Sequence, residues 1–304
     1  MKVVWLLNHY ATEPTGSGST RHYGLARQAA RFGYKVIIIA ASIEHLTGRQ
    51  RLASDEQVRL EEIGGVSFLW LKTSGYAGIG LDRIRNMMEY FLRVLRRSST
   101  ASLPVPDFII GSSVHPLAAL AAERLAARHA VPFLFEIRDL WPETLIQMGR
   151  VHSSSLTAAV LRQLEGWLCR RARKIIVLLP RAHVYLARYG VSEEKVVWIP
   201  NGADPELFVY HPPAVRNGLT LMYLGAHGAA NGLVPVIEAI SDYAGKNEPQ
   251  QVRLRFVGDG PEKSSLQALA AKLGLGAIIS FEPAVTKQHL PEVAAEADAF
   301  ILNV

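Results

Sequence analysis

The sequence predicts an α/β protein built on parallel sheets, and three observations lead to that fold class. Short, nearly continuous apolar runs alternate with helix-spaced apolar patterns along the whole chain, as is typical of strands covered by helices on both faces. No internal repeat or long low-complexity tract interrupts this alternation. The length of 304 residues, 49% of them hydrophobic, suits a globular protein of about two domains.

The first part of the chain is predicted to form strands at 3–7, 36–40, 66–71, 108–110, 132–137 and 174–178. The helices predicted between them are 23–32, 81–97, 116–129 and 155–172. The apolar run at the N-terminus stops at Asn8 without a small-residue cleavage site. We therefore interpret that run as a buried first strand and not as a signal peptide.

The alternation starts again after Pro180, so we predict two domains, 1–180 and 181–304. A helix at 182–189, a strand at 196–199 and a turn-rich stretch at 200–205 open the second domain. Its remaining strands are predicted at 219–224, 254–257, 278–281 and 299–302, and its helices at 233–244, 262–273 and 290–297. This series ends on a strand, so we expect the second domain to be incomplete.

Composition restricts the location and the partners of the protein. Cys169 is the only cysteine, which precludes an intramolecular disulfide and favours a reducing, cytoplasmic location. No segment approaches the roughly 20 apolar residues that a spanning helix needs, so we expect any membrane contact to be peripheral. The formal net charge of +6 favours anionic partners such as nucleotides, phosphates or acidic lipids. Nucleic acid is disfavoured because the basic residues are dispersed and are not interleaved with aromatic residues.

Glycine-rich loops join predicted strands to helices in both domains. The first such loop, 8–20, contains Gly16 and Gly18 and leads into a helix that carries Arg21. The candidate ligand-binding residues of the second domain are Gly225, His227, Gly228, Asn231, Gly258, Asp259 and Gly260. Backbone N–H groups in such loops bind phosphates, so we expect a phosphate-bearing ligand between the domains. The alternative is that these are ordinary turn glycines.

Charged and polar residues follow two strands of the first domain. Arg138 and Asp139 come directly after the strand at 132–137, and His115 follows the strand at 108–110. Because ligands of α/β proteins bind at the carboxyl ends of the strands, we assign Arg138, Asp139 and His115 as candidate catalytic residues and His9 as a further ligand contact. The alternatives are an Arg138–Asp139 ion pair or helix cap, and a plain loop histidine.

The helix at 81–97 carries apolar residues on one predicted side, namely Leu81, Ile84, Met88, Phe91, Leu92 and Leu95. Arginines flank that side at positions 83, 85, 93, 96 and 97. Such a helix is predicted either to lie on an anionic membrane surface or to pack on the core with a solvated basic side.

The order of several motifs resembles the retaining glycosyltransferases of family 4. These motifs are His9-Tyr10 through Gly18 with Arg21, and the stretches 31–36, 138–143, 199–204 and 257–261. The resemblance implies the GT-B fold, in which two Rossmann-like domains face each other across a cleft. The stretch 138–143 is most similar to the branch that adds amino sugars, such as N-acetylfucosamine, during bacterial surface polysaccharide assembly.

The resemblance implies transfer of a sugar from a nucleotide diphosphate sugar, UDP-linked, to an acceptor hydroxyl with retention at the anomeric carbon. The acceptor, a lipid-linked glycan in lipopolysaccharide-type biosynthesis, would occupy 1–180 and the donor 181–304. A donor phosphate oxygen takes the acceptor proton in such enzymes, so neither a protein nucleophile nor a metal or other cofactor is expected. The residues agree, since no nucleophile–base arrangement is visible in the sequence.

The chain departs from the family pattern in several places. Ala226 and Asn231 stand where members carry the Arg and Lys that neutralise the diphosphate, with the His227-Gly228 loop as the expected substitute. Arg138 stands where many members carry histidine. The paired-glutamate segment and the final helix of the family are expected beyond Val304, so little or no transferase activity is expected from these 304 residues.

Two other functions remain open at the level of sequence. A GT-B-fold epimerase would act on the nucleotide sugar itself and need an acid–base pair but no acceptor. A non-catalytic nucleotide-sugar-binding protein would bind the donor without turnover. Product analysis without acceptor separates the first from a transferase, and binding without turnover identifies the second.

Overall fold

A computed structural model describes residues 1–16, 18–45, 47–76, 80–209, 218–245 and 252–302. The chain divides into two compact units, Met1–Gly202 (unit 1) and Ala203–Val304 (unit 2). The division after Gly202 differs from the boundary predicted after residue 180, because the strand that follows residue 195 pairs with the sheet of unit 1. Each unit holds alternating strands and helices, which confirms the predicted α/β class.

Unit 1 contains a single eight-stranded sheet. Its strands are β1 Lys2–Leu7, β2 Tyr34–Ala41, β3 Val58–Ile63, β4 Val66–Leu71, β5 Phe108–Ser112, β6 Phe133–Ile137, β7 Lys174–Val177 and β8 Val196–Trp198. They lie in the order β3-β4-β2-β1-β5-β6-β7-β8, and every pair is parallel except β3 with β4. The edge strand β3 was not predicted from the sequence.

The helices of unit 1 are α1 Arg21–Arg31, α2 Leu81–Leu95, α3 Arg97–Thr100, α4 Pro116–His129, α5 Glu143–Gln147, α6 Leu156–Arg171 and α7 Ala182–Leu186. Two of them have clear N-terminal caps. His115 accepts a hydrogen bond from the N–H of Ala118 at the start of α4, and Ser155 accepts one from Ala158 at the start of α6. Both caps satisfy backbone donors that a helix start leaves unpaired.

The central strands of unit 1 are buried on both faces. Alternate residues of a strand point to opposite sides, and consecutive residues of these strands are buried. One face packs on α2 and α4 with side chains such as Trp5 and Ile37, and the other face carries Ile38 and Phe68. Close packing of α4 on β5 requires Gly111, since a Cβ there would lie 2.6 Å from the Ala122 Cβ. The predicted apolar runs therefore form the core.

The way in which α2 packs on the core corrects the prediction that its apolar residues share one side. Its apolar residues do not share one side: Phe91 and Leu95 pack on the core together with buried Tyr90 and Val94. The others are exposed at the surface, namely Leu81, Ile84, Met88 and Leu92. The helix therefore has two apolar sides. None of the described helices is long and apolar enough to cross a bilayer.

Unit 2 contains a four-stranded parallel sheet in the order β11-β10-β9-β12. The strands are β9 Leu219–Leu224, β10 Val252–Val257, β11 Ile279–Glu282 and β12 Ala299–Phe300, and the helices are α8 Val234–Ala244, α9 Lys263–Lys272 and α10 Leu290–Ala294. Leu254 and Phe256 of β10 are fully buried against Ile237 of α8 and Leu266 of α9. The elements occur where the sequence predicted them.

Candidate functional site

Two buried histidines meet at the carboxyl edge of the unit 1 sheet. His9 follows β1 and His115 follows β5, and His9 Nδ1 lies 2.7 Å from His115 Nε2. His115 Nδ1 accepts from the N–H of Ala118, so we assign the hydrogen of His115 to Nε2, from which it is donated to His9. The ring of His9 also stacks on that of Tyr90 at 4.4 Å. The sequence predicted both histidines at this edge but not their contact.

Burial keeps both histidines neutral. It lowers the pKa of His9 well below its ordinary value, and a charge on His115 would lower it further. Burial, followed by the positive charge of Arg83, lowers the pKa of His115 to about 3. Each residue is only 1% exposed. His115, assigned from the sequence as a catalytic candidate, therefore caps α4 and supports His9 from beneath the surface.

A second buried network joins α1 to β6. The N–H of Tyr10 donates to Asn8 Oδ1, which turns the amide nitrogen of Asn8 to donate to His22 Nδ1 at 2.7 Å. His22 Nε2 then donates to Glu136 Oε2 at 2.6 Å, and Arg21 Nε donates to Glu136 Oε1 at 3.0 Å. Two side chains, His22 and Arg21, thus bond one buried carboxylate, and Asn8 holds the ring of His22 in place.

Glu136 is held ionised by these partners. Burial by itself raises the pKa of Glu136, but the hydrogen bonds that His22 and Arg21 donate to the carboxylate outweigh it and hold the pKa well below its ordinary value. Arg21 also donates to the carbonyls of Ile199 and Pro200. Glu136 and His22 were not predicted to share one site, because they lie 114 positions apart in the sequence.

A half-buried group of aromatic side chains and one cation covers His9. Tyr10 stacks on His45 at 4.3 Å, and the Tyr76 hydroxyl bonds His45 Nδ1. Arg83 Nε donates to the Tyr10 hydroxyl at 3.2 Å. Burial and the charge of Arg83 lower the pKa of His45 to about 4. We name Tyr10, His45, Tyr76 and Arg83 the Tyr10 cluster.

The loop that follows β6 carries the other two catalytic candidates. Arg138 is half-buried and Asp139 is exposed. Ser113 holds this loop, since its hydroxyl accepts from the N–H of Arg138 at 3.1 Å and its carbonyl accepts from Trp141 Nε1 at 3.1 Å. Helix α5 begins only at Glu143, so Asp139 is not its cap. Arg138 and Asp139 therefore remain available to a ligand.

The first glycine loop is packed against carboxylates. A Cβ at Gly16 would lie 2.2 Å from Thr12 Oγ1 and 3.0 Å from Glu44 Oε1. Glu13 and Glu44 are buried and pair with Arg51, which lies over the ring of Trp70. Gly18, with a φ of +123°, follows in a backbone conformation that favours glycine. An internal ion-pair network thus holds the described residues of the loop up to Gly16, and this network was not predicted from the sequence.

In unit 2 the two glycine loops pack backbone against backbone. The loop after β9 contains Gly225 and His227, and the loop after β10 contains Gly258 and Gly260. A Cβ at Gly258 would lie 1.9 Å from the Gly225 carbonyl oxygen, and one at Gly260 would lie 2.4 Å from that of His227. The N–H of His227 donates to the carbonyl of Asp259 at 2.9 Å. Only glycine permits so close an approach.

His227 itself is fully buried. Both ring nitrogens lack a hydrogen-bond partner among the residues that the structure describes, and the rings of Phe256 and Tyr223 lie 6.0 Å away. Burial lowers the pKa of His227. Lys263, not singled out from the sequence, donates to the carbonyls of Gly258 and Glu282 at 2.8 Å each.

The other predicted residues of unit 2 lie in the same loops. Asp259 is exposed and pairs with Lys263 at 3.3 Å. The N–H of Asn231 donates to the carbonyl of Gly228 at 2.9 Å, which forms the short turn before α8. Within the described ranges, no group of three or more His, Cys, Asp or Glu residues is arranged to hold a metal ion.

Comparison with protein families gives two matches along the chain. Residues 16–202 match the model of the glycosyl transferase 4-like domain, and residues 213–304 match that of the glycosyl transferases group 1. The 2-deoxystreptamine glucosyltransferase of Streptomyces kanamyceticus is 23% identical over 271 residues, which cover 73% of this chain and 67% of that protein.

Solved structures with a similar fold cover 99% of this chain. Sucrose-phosphate synthase from Thermosynechococcus elongatus has a TM-score of 0.74 at 15% identity over 75% of its own length. WaaG, a glycosyltransferase involved in lipopolysaccharide biosynthesis, has a TM-score of 0.65 at 17% identity over 74% of its length. Anabaena HepE in complex with UDP and glucose has a TM-score of 0.61 at 15% identity over 73%. These similarities show the GT-B fold.

Proposed function

This chain belongs to the glycosyl transferase 4-like family and is a glycosyltransferase, and from that premise we propose that it transfers a sugar, with retention, from a UDP-sugar to a hydroxyl of a lipid-linked glycan. In this proposal unit 2 holds the donor and unit 1 holds the acceptor. The donor sugar is an N-acetylated amino sugar, and the product enters surface polysaccharide biosynthesis.

The arrangement of backbone in unit 2 carries the proposal. The loops after β9 and β10 touch through glycines, and no described residue accepts a hydrogen bond from the N–H of Ala226 or Gly228. Unused backbone donors between a strand and a helix bind phosphate oxygens. The Lys263 ammonium, at the start of α9, adds positive charge beside these loops. A diphosphate is the ligand that this combination fits best.

Nucleotide-sugar chemistry among structural relatives supports the choice of donor. HepE, which shares the fold, has been solved with UDP and glucose. The loops of unit 2 lack the Arg and Lys pair that the sequence comparison led us to expect, because Ala226 and Asn231 occupy those positions. The proposed diphosphate site therefore depends more on backbone donors than on charged side chains.

The state of the histidines in unit 1 supports retention without a protein base. His9 and His115 bond each other beneath the surface, so neither reaches an acceptor hydroxyl. Arg138 and Asp139 line the same edge from the surface and are proposed as acceptor or donor contacts. In this mechanism a phosphate oxygen of the donor takes the acceptor proton, and the protein contributes positioning and charge stabilisation of the leaving diphosphate.

The exposed side of α2 supports a membrane-linked acceptor. Leu81, Ile84, Met88 and Leu92 form an apolar stripe at helical spacing, and Leu81 is 83% exposed. The exposed Arg96 and Arg97 follow at the end of the helix. An apolar stripe with adjacent arginines is suited to the interface of an anionic membrane. We propose that this α2 stripe holds unit 1 on the lipid surface that carries the acceptor.

Calorimetric titration with UDP, GDP, ADP and dTDP tests the donor site. We expect selective binding of UDP and its loss in Gly260→Ala, because the added Cβ pushes the two loops apart. Gly276→Ala is the matched control, since a Cβ there meets nothing within 4 Å. Equal affinity of wild type and Gly260→Ala for UDP would overturn the assignment of these loops.

Product analysis with a UDP-sugar separates the rival functions. A transferase forms a glycosylated product only when acceptor is present, and an epimerase changes the sugar without acceptor. Binding of UDP without either product would favour a non-catalytic nucleotide-sugar-binding protein.

Flotation with phosphatidylglycerol vesicles tests the α2 stripe. We expect Met88→Ser with Leu92→Ser to weaken vesicle binding by roughly tenfold or more, because each buried apolar side chain contributes about 1.5–3 kcal/mol. Val160→Ser on α6 is the matched control, since Val160 is 55% exposed and lies on another helix. Unchanged flotation of the double variant would leave the stripe as ordinary surface.

A further inference from the structure

Arg83 stands apart from the other arginines of α2. It lies in the first turn of the helix, and its side chain reaches the Tyr10 cluster instead of the exposed stripe. Its Nε donates to the Tyr10 hydroxyl at 3.2 Å, and its Cζ lies 5.5 Å from the centre of the Tyr10 ring. The guanidinium is therefore fixed at the carboxyl edge of the unit 1 sheet, where α/β proteins bind ligands.

This guanidinium has no carboxylate partner among the residues that the structure describes. Other arginines of unit 1 do have one: Arg21 pairs with Glu136, Arg51 with Glu13, and Arg85 of the same helix with Glu89. A half-buried cation without a partner is unfavourable unless an anion or water satisfies it.

The groups around Arg83 do not supply negative charge either. The titratable groups that face it are His9, His45, His115, Tyr10 and Tyr76, and none of them is a carboxylate. Burial lowers the pKa of the three histidines and raises that of Tyr76, so these four are neutral near pH 7. The charge of Arg83 itself disfavours protonation of the three histidines. The Tyr10 cluster therefore carries the positive charge of Arg83, which no described carboxylate pairs with.

The hydrogen-bonding capacity of Arg83 is also largely unused. A guanidinium has five N–H donors in a planar fork that matches phosphate and carboxylate oxygens. Only the Nε donor has a described partner. The two Nη groups, with four N–H bonds, are left for a ligand that accepts hydrogen bonds.

We propose that Arg83 binds a phosphoryl group of the acceptor and so sets which acceptors this enzyme accepts. Tyr10 orients the guanidinium by accepting from Nε and by placing its ring beside it. The identity of the ligand as an acceptor rests on the function proposed above, whereas anion binding by Arg83 does not.

Binding is measured first without any donor. The probes are N-acetylglucosamine 1-phosphate and, as a neutral comparator, methyl N-acetylglucosaminide, titrated into the full chain by calorimetry. We expect Arg83→Gln to weaken binding of the phosphorylated probe on the order of 10- to 100-fold, the effect of removing a hydrogen bond to a charged group. Arg85→Gln, with the same change of charge on the same helix, is expected to bind like the wild type.

Two further measurements keep the test decisive. Arg83→Lys retains the charge but loses the fork, so an affinity between those of the wild type and Arg83→Gln is expected. Thermal unfolding of each variant checks that the fold is intact. If Arg83→Gln binds both the soluble phosphorylated probe and the lipid-linked diphosphate described next as tightly as Arg85→Gln does, the proposal is overturned.

A second set of titrations identifies the source of the anion. A short-chain polyprenyl diphosphate that carries N-acetylglucosamine is presented in detergent micelles, and its binding is compared with that of the soluble phosphate. A loss in Arg83→Gln for the lipid probe alone assigns the anion to a lipid-linked diphosphate, and a loss for the soluble probe alone assigns it to a free sugar phosphate. Donor binding and turnover are measured separately, so a failed transferase assay does not count against Arg83.

Discussion

The carboxyl edges of the two sheets are built in different ways. At the edge of unit 1, buried side chains bond one another, with His9 on His115 and His22 on Glu136. At the edge of unit 2, glycine backbone meets glycine backbone, and the buried side chain, His227, has no described polar partner. The structure of the first edge therefore depends on the charge and protonation of its side chains. The structure of the second edge depends on glycines, which allow the two backbones to touch. Variants that remove a charge or add a methyl group separate these two dependences.

Loss of the Glu136 carboxylate is expected to have the largest effect. Glu136→Ala leaves Arg21 and His22 without their partner, and breaking a buried ion pair costs about 3–5 kcal/mol. The free energy of unfolding of unit 1 should fall by that amount in denaturant titrations. Tryptophan fluorescence reports it selectively, because all five tryptophans precede residue 203. The exposed Glu62→Ala is the control, and equal stability of the two variants would contradict the role given to Glu136.

A methyl group at Gly258 is expected to have the next largest effect. Gly258→Ala adds a Cβ at a φ of +149° and against the Gly225 carbonyl, which should destabilise unit 2 by about 2–4 kcal/mol. Amide hydrogen exchange of β9 and β10 measures this, while tryptophan fluorescence of unit 1 should not change. Gly276→Ala, which meets nothing within 4 Å, should exchange like the wild type. Faster exchange in both variants would show general loosening instead.

The smallest expected effect is a change in how the stability of unit 1 depends on pH. The folded pKa of His115, about 3, lies below the ordinary value near 6.5, so the unfolded state binds the proton first as the pH falls. Stability should therefore decrease from pH 6.5 downward, by at most about 1.4 kcal/mol per pH unit for one proton. His115→Asn, which can still cap α4, should make the slope between pH 6 and 5 shallower. The exposed His152→Asn should not, and an unchanged slope in His115→Asn would contradict the prediction.

The sheets could be predicted from the sequence because most of their strands are apolar on both faces. Strands such as β2 and β4 appear as continuous runs of buried side chains, and both were predicted. Strand β3 was missed, because Val58–Ile63 alternates apolar with charged residues and lies at the sheet edge without a fully buried position. An alternating edge strand gives a weaker sequence signal than a continuous apolar run does.

The side of α2 that faces the core could not be predicted from its sequence pattern. A helix with apolar residues on two sides does not reveal which side meets the core. Buried Asn86 and Tyr90 mark the inner side, and their polar atoms bond the carbonyls of Ser74 and Ile39. Those carbonyls are fixed by the sheet and by the loop after β4, neither of which the helix sequence contains.

The position of the site was predicted better than the contacts between its side chains. The rule that ligands bind at carboxyl ends placed His9 and His115 at one edge, but their hydrogen bond joins residues 106 positions apart. The His22–Glu136 pair went unnoticed, although a glutamate inside the apolar stretch of β6 was a usable signal. The ring of His227 was expected to meet phosphate, and whether a loop side chain points inward depends on the aromatic residues of neighbouring strands.

The bonds of Arg21 have a consequence for synthesis of the chain on the ribosome. Arg21 reaches Pro200 across 179 positions, which takes roughly 10 to 40 s to translate at 5–20 residues per second. Strand β1 lies between β2 and β5, so its second edge stays open until β5 has emerged. Nascent unit 1 therefore keeps one unpaired edge on β1 until residue 112 has emerged. Arg21 lacks the carbonyl groups of Ile199 and Pro200 until nearly all of unit 1 has been made. We expect its folding to finish late, close to the moment when residue 200 leaves the exit tunnel.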